Sequence, residues 1–493
     1  MVILYAACAM KRFYQMSSKG LFMYIQNLCT FAGKFFDMLF KNAFEQQPSL
    51  RFVYEKLQFN SALGRQHLLH LLFCTDETSL STEFSHLEEF LAIWKDEGNR
   101  VVFSHLCQQI HQLNNIAPTL LSLENGAVLD DIQLFEIKKT AILTDVIAQD
   151  VRKLGISWLP YTPMGEIVDI LDPEQTHIPH FYVYSAYDEE LACLREKMKA
   201  TDDAQEMESF RFQAQQAEDR VRLQLSEKLR PHHNALSQNL HSTAYLDMLV
   251  AKAKLALEWK ACKPQIGDGH DLKMLINPEI AESLEQKGRK FQPVSIAFGR
   301  ETVLITGANM AGKSVLLQSL SLAQHLFQFG FYLPAESATL PVVDEVITSI
   351  GDRQSALSGL SSFAVEVLTI DRIIKTAREG KRVLALVDEL ARTTNPDEGR
   401  RMVNGFIRLS RKLGLTAVVT THYSGLDVDC KHLRVKGLQI PEGVSSLSVG
   451  HISDYMDYSL KETRNDDVPK EAFTIARLLH VDEDFLAECD PVE

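Results

Sequence analysis

Several things are scarce in this sequence. Its eight cysteines (Cys8, Cys29, Cys74, Cys107, Cys193, Cys262, Cys430 and Cys489) never form a Cys-x-x-Cys pair. That argues against a zinc site or a dithiol redox couple and fits reduced thiols in the cytosol. Positive charge is in deficit, with 51 Lys and Arg against 65 Asp and Glu for a net charge of −14. The chain therefore lacks the overall basic footprint of a protein that lives on a polyanion. The uncharged apolar stretch near the N-terminus, Leu21–Gly33, falls short of the about 20 residues that span a bilayer. Met1–Met10 is apolar but has no basic residue ahead of it, which makes a poor signal peptide. These shortages predict a cytoplasmic protein without a membrane partner, with residues 1–48 as a helical segment packed on the rest.

Proline is nearly absent from about Arg51 to Val151. There "LGRQHLLHLLF", "FSHLEEFLAIWKDE" and "LDDIQLFEIKKTAILTDVIAQDV" place apolar residues three and four apart, so residues 49–157 read as an all-α core. Prolines 160, 163, 173 and 179 then break the pattern, and the segment reads as a loop with a short strand at Phe181–Tyr184. One long helix is expected from Glu189 to about Leu229 and another from about Leu236 to Trp259. Back to back they suggest an antiparallel hairpin, so residues 158–260 form a helical lever. Short β-branched runs alternate with helices from 261 to 457, in "TVLITG", "VLALVDE" and "TAVVTTHY", which predicts an α/β domain with a mostly parallel sheet. Residues 458–493 read as a helical tail.

Within that domain, Gly307-x-x-x-x-Gly312-Lys313-Ser314 leaves an apolar strand and enters a helix, the context a phosphate-binding loop requires. Its glycines allow the tight turn that aims backbone N–H groups at phosphate oxygens. Lys313 can reach the β- and γ-phosphates of ATP, and Ser314 can ligate Mg²⁺. About 75 residues further on, "VLALVDE" ends a strand in Asp388 and Glu389. Asp388 suits the Mg²⁺, and Glu389 suits polarising the attacking water, since phosphoryl transfer needs mainly positioning and charge neutralisation. His422, after the strand "AVVTT", can sense the γ-phosphate through its imidazole.

"TGANMAGKS", "SGLSSFAVEV", "LVDELARTTNPDEG" and "TTHY", in that order, resemble the MutS family of ATPases, a branch of the ABC class. "GFYLPAE" fits as well, and weaker likeness reaches out over about residues 50–480. The resemblance implies an ATP-hydrolysing dimer in which Ala308, Asn309, Met310, Ala311 and Val315 join the phosphate loop and Phe291 lies near the adenine. It implies that Ser361 and Ser362 reach the opposing subunit's nucleotide, and that Thr394 and Asn395 cross the dimer interface. There are departures. The family's Gly-Gly-Lys-Ser is Ala311-Gly312-Lys313-Ser314 here, a usual Arg is Leu360, and Ile-Gly-Arg-Gly-Thr is Leu390-Ala391-Arg392-Thr393-Thr394. Two glycines are lost, so a stiffer loop is expected.

Mismatch-reading family members carry an N-terminal domain with a Phe-x-Glu wedge, and no Phe-x-Glu occurs here. The helical core begins near residue 50, leaving no room for that domain. Residues 185–230, where a DNA clamp would sit, hold 11 Asp and Glu against 8 Lys and Arg, a poor surface for phosphate contacts. "DELARTTNP" resembles the MutS-like reactivase subunits that accompany cobalamin-dependent lysine/ornithine aminomutases. The sequence reading therefore puts a protein-remodelling ATPase first, a homodimer or a heterodimer with a second MutS-like subunit. The alternative is a repair or recombination ATPase whose contact with duplex DNA is weak and not mismatch-specific.

Overall fold

The computed structural model describes residues 39–175, 180–308, 311–351, 362–440, 452–463, 476–477 and 479–489. In chain order the helices are α1 (Phe40–Gln46), α2 (Ser49–Lys56), α3 (Ala62–Leu69), α4 (Glu77–Lys95), α5 (Arg100–His111), α6 (Ala117–Glu124), α7 (Asp131–Lys153), α8 (Gly165–Leu171), α9 (Glu189–Ala200), α10 (Ala204–Leu229), α11 (His233–Glu258), α12 (Pro278–Glu285), α13 (Lys313–Gln328), α14 (Ser362–Arg378), α15 (Pro396–Lys412) and α16 (Glu483–Cys489). The strands are β1 (Gln265–Ile266), β2 (His270–Leu275), β3 (Val294–Phe298), β4 (Thr302–Thr306), β5 (Ser337–Leu340), β6 (Glu345–Ser349), β7 (Val383–Val387), β8 (Thr416–Thr421), β9 (Lys431–Leu438) and β10 (Met456–Glu462). Among the described residues, no helix is long and apolar enough to cross a membrane.

The described residues divide into two compact units, residues 57–70 with 85–255, and residues 39–56 with 71–84 and those from 256 onward. This differs from the sequence-based division. The expected core and lever belong to one helical unit because buried polar clasps join them. Asp247 on α11 is wholly buried and accepts from Asn60 N, Asn60 Nδ2, Ser61 N and Ser61 Oγ at 2.7–3.0 Å. The expected strand at Phe181–Tyr184 does not form. Phe181, Val183 and Tyr184 are buried instead, with Tyr184 over the Lys138 ammonium. The helix expected through Glu189–Leu229 is broken at 201–203, where Asp203 caps α10. The hairpin is thus α9–α10, antiparallel as the pairs Arg195–Glu218 and Glu190–Arg220 require. Pro231 does not stop the chain. It sits in the first turn of a 3-10 stretch, where its missing N–H costs nothing, and α10 runs on into α11.

In the α/β unit, six strands form a sheet in the order β10-β9-β4-β8-β7-β6. It is parallel from β9 to β6, with β10 antiparallel on its edge. β4, β7 and β8 are buried throughout, which is why their sequences are unbroken apolar and β-branched runs. β10 takes the place of the expected start of the helical tail. Val403, Phe406 and Ile407 of α15 and Ile373 of α14 cluster with Leu304, Ala385, Val387 and Val419 on the sheet. α13 packs against β6, β7, β8 and α2. A smaller sheet, β1-β5-β2-β3, completes the unit. Residues 39–56 belong here rather than with the helices because Phe40 packs edge-on to Phe329 and stacks on Phe331.

Candidate functional site

The chain leaves β4 at Thr306, turns through Gly307–Gly312, and enters α13 at Lys313. Gly312 caps that helix in the left-handed region, φ 72°. A Cβ there would also stand 2.9 Å from Tyr458 Cδ1, so glycine is needed on two counts. Lys313 is buried, and its ammonium donates to Gly307 O at 2.9 Å and Ala308 O at 3.0 Å. The Glu389 carboxylate lies 3.4 Å away. Asn309, Met310 and Ser361 lie outside the described residues. Ser362 opens α14.

Parallel pairing brings the ends of β4, β7 and β8 side by side, and the acidic pair arrives next to the loop. Ser314 Oγ donates to Asp388 Oδ2 and Thr420 Oγ1 to Asp388 Oδ1, both at 2.5 Å. Glu389 N donates to Thr420 Oγ1 at 3.0 Å. Its carboxylate lies between Lys313 and Arg392, whose Nη1 is 3.2 Å away. Half-buried His422 titrates below its ordinary value. Burial is the main cause, opposed by Glu389 and reinforced by Lys313 and Arg392, so its imidazole is neutral at neutral pH.

Beside the loop opens a cavity of about 660 Å³ lined by Phe291, Ala311, Gly312, Val315 and Tyr458 among others. Phe291 and Val315 thus line one cavity beside the loop. Gln292 ties this wall to β10, donating to Asp457 Oδ1 at 2.9 Å and accepting from Tyr458 N at 3.1 Å. Hydrogen bonds from Ser459 and Gln292 hold the Asp457 carboxyl well below the usual range. Thr394 donates to Glu398 at 3.3 Å, and Asn395 caps α15 by accepting from Asp397 N at 2.9 Å. Both lie in the surface loop between the acidic pair and α15.

Sequence reasoning missed Thr420, Tyr423, Glu366 and Tyr458. Thr420 stood inside a quoted motif, and its partnership with Asp388 follows from the register of β8 beside β7, which pairs Val387 with Val419. No local signal marks Tyr458, which reaches the loop through the edge pairing of β10.

The donor set suits Mg²⁺ and a polyphosphate. A hydroxyl and a carboxylate, oxygen donors of the kind a hard cation takes, lie side by side, and a buried ammonium lies at a helix N-terminus, where the dipole favours anions. These features define an α/β site of the nucleotide-binding kind. Residues 303–450 match the family model of MutS domain V. The chain is similar to the Endonuclease MutS2 of Lactobacillus helveticus, 36% identical over 211 residues, which are 41% of this chain and 25% of the relative. It is also similar to the DNA mismatch repair protein MutS of Thermus thermophilus, 26% identical over 362 residues, 71% of this chain and 43% of the relative. The corresponding protein of Thermus aquaticus is 29% identical over 362 residues. The matches thus span between a quarter and less than half of these relatives' lengths, and they support membership of the MutS family.

Proposed function

We propose that this chain is a MutS-family ATPase that works as a dimer and acts on DNA. The observation that supports it best is the meeting of Lys313, Ser314, Asp388 and Glu389 at one end of the sheet, within the segment that matches MutS domain V. Lys313 would release its carbonyl partners to hold phosphate oxygens, and Ser314 and Asp388 would hold Mg²⁺. When bound, Mg²⁺–ATP supplies the bond to be cleaved and neutralises charge on it. Glu389 Oε1 or Oε2 orients water and accepts its proton, and the neutral His422 donates a hydrogen bond to the γ-phosphate. Phe291 and Tyr458 wall the base.

The relatives are named for mismatch repair and endonuclease action, which weighs the DNA-acting reading above the protein client that composition favoured. One observation keeps the client reading as second. On the α9–α10 hairpin, Arg195, Arg220 and Arg222 all pair with carboxylates of the same unit, leaving them engaged rather than offered to phosphates. DNA binding should therefore be weak, blind to mismatches and largely lost between about 50 and 150 mM salt. Anisotropy titrations of labelled matched and mismatched duplexes, with and without ATP, test it. A mismatch preference of tenfold or more would overturn the expectation. Absence of binding at about 50 mM salt would overturn the DNA reading in favour of a protein client.

The dimer has its own test. Ser361 and Ser362, with Thr394 and Asn395, would complete the partner's nucleotide site. Mixing Ser361→Ala/Ser362→Ala chains with Lys313→Ala chains should restore part of the ATPase rate, because one composite site becomes whole. A fully active monomer in sedimentation would refute it.

A further inference from the structure

The turn after β7 has an unusual backbone. Glu389 and Ala391 both have positive φ, 46° and 62°, a conformation that residues with a Cβ rarely adopt. The missing glycines predicted a stiffer loop, yet alanine here takes a glycine's conformation. Such a turn persists only where its surroundings over-determine it.

Two side chains do so. Ala391 is wholly buried. Its N–H donates to Glu366 Oε2 at 3.0 Å, and its carbonyl accepts from the Tyr423 hydroxyl at 2.7 Å. Both polar groups of one strained residue are thus held by side chains from elsewhere, Glu366 on α14 and Tyr423 from the segment after β8. The phenol has little freedom. It fits against Gly399 in the first turn of α15, where a Cβ would overlap its hydroxyl. Two residues before the strained alanine, Glu389 donates its own N–H to Thr420, three residues before Tyr423. The turn is therefore suspended at both ends from β8 and the segment after it. Its third tie runs to α14, four residues beyond Ser362.

We propose that Tyr423 and Glu366 are positioning residues that hold the Glu389–Ala391 turn in its left-handed form and so keep the Glu389 carboxylate in place between Lys313 and Arg392. This rests on the ATPase reading for its consequence, but not for its geometry. The Tyr423 hydroxyl and the Glu366 carboxylate act on the two polar groups of Ala391, so losing either bond should leave nucleotide affinity intact and lower turnover. A small misplacement of a catalytic group is enough for that.

Tyr423→Phe keeps the ring in place and removes only the hydroxyl. It should lower kcat by roughly tenfold while KM for ATP stays within about twofold and the melting temperature hardly moves. Adding Ala391→Gly should recover most of that kcat, because glycine holds the left-handed conformation unaided. Glu366→Gln, which keeps an oxygen acceptor, should lose less than Glu366→Ala. A purely structural role for Tyr423 predicts no recovery by glycine. Hydrogen exchange provides an arm independent of turnover, since peptides covering 388–395 should exchange faster in Tyr423→Phe and Glu366→Ala than in the parent. Wild-type kcat in Tyr423→Phe, a loss confined to KM, failure of Ala391→Gly to recover it, or unchanged exchange would each overturn the proposal. A parent protein that hydrolyses no ATP would overturn the ATPase reading instead, with the exchange arm still deciding whether the turn is held this way.

Discussion

Glu389→Gln will bind ATP and scarcely hydrolyse it. The substitution keeps shape and hydrogen-bonding capacity and removes the basic oxygen. Positioned general bases contribute about 10²- to 10⁴-fold, so turnover should fall at least about 100-fold. Affinity should hold or rise. The Glu389 carboxylate lies 3.4 Å from the Lys313 ammonium and 3.2 Å from the Arg392 guanidinium. Neutralising it removes a negative charge from beside the phosphates and frees both cations to face them. Lys313→Ala should fail in the opposite way, losing affinity because the phosphates lose their buried cation. Equilibrium binding of labelled ATP alongside steady-state phosphate release separates the two patterns. Wild-type turnover by Glu389→Gln would move the base elsewhere, and His422 would be the next residue to test.

The contrast between those two residues and the ones that support them shows what a sequence can reveal. A phosphate-binding loop is local, since glycine spacing, lysine and serine lie within eight residues of each other and must follow a strand. Asp388 and Glu389 are legible for the same reason, because a buried strand ending in two carboxylates places them at a sheet's ligand-binding end. Thr420, Tyr423 and Glu366 act through pairings whose separations along the chain are 32, 32 and 25 residues. Their identities suit many ordinary roles, and only strand register and helix placement bring them to the turn. Tyr458 is further still, 166 residues beyond the Gln292 side chain that bonds its amide.

The helical unit is less legible for a related reason. Periodicity identified helices but not their breaks, which depend on caps such as Asp203, nor which blocks share a core. Asp247 ties α11 to residues 60–61 through a carboxylate that reads, in sequence, like any polar position on a helix. Phe40 likewise reads as a helical apolar residue until Phe329 and Phe331 are placed beside it.

Lys138 carries this lesson to a second large effect. In "FEIKKTAILTD" it is one of two adjacent lysines in a helical block. In α7 its side chain is fully buried, 3.1 Å from an equally buried Asp172. Its ammonium donates to His180 O at 2.9 Å and the Tyr184 hydroxyl at 3.2 Å, binding α7 to the segments on either side of residues 176–179. A buried pair adds little net stability, because desolvation offsets attraction, but removing one member leaves a charge without its partner. Lys138→Met should therefore destabilise the helical unit by about 3–5 kcal/mol. Lys138→Met with Asp172→Leu should recover a substantial part, since an apolar pair needs no compensation. Trp94 and Trp158 both lie in the helical unit, so urea unfolding followed by tryptophan fluorescence reports chiefly on it. A single variant within about 1 kcal/mol of the parent would mean that water reaches the pair. A double variant as unstable as Lys138→Met would mean that the hydrogen bonds to His180 and Tyr184, rather than the ion pair, carry the junction.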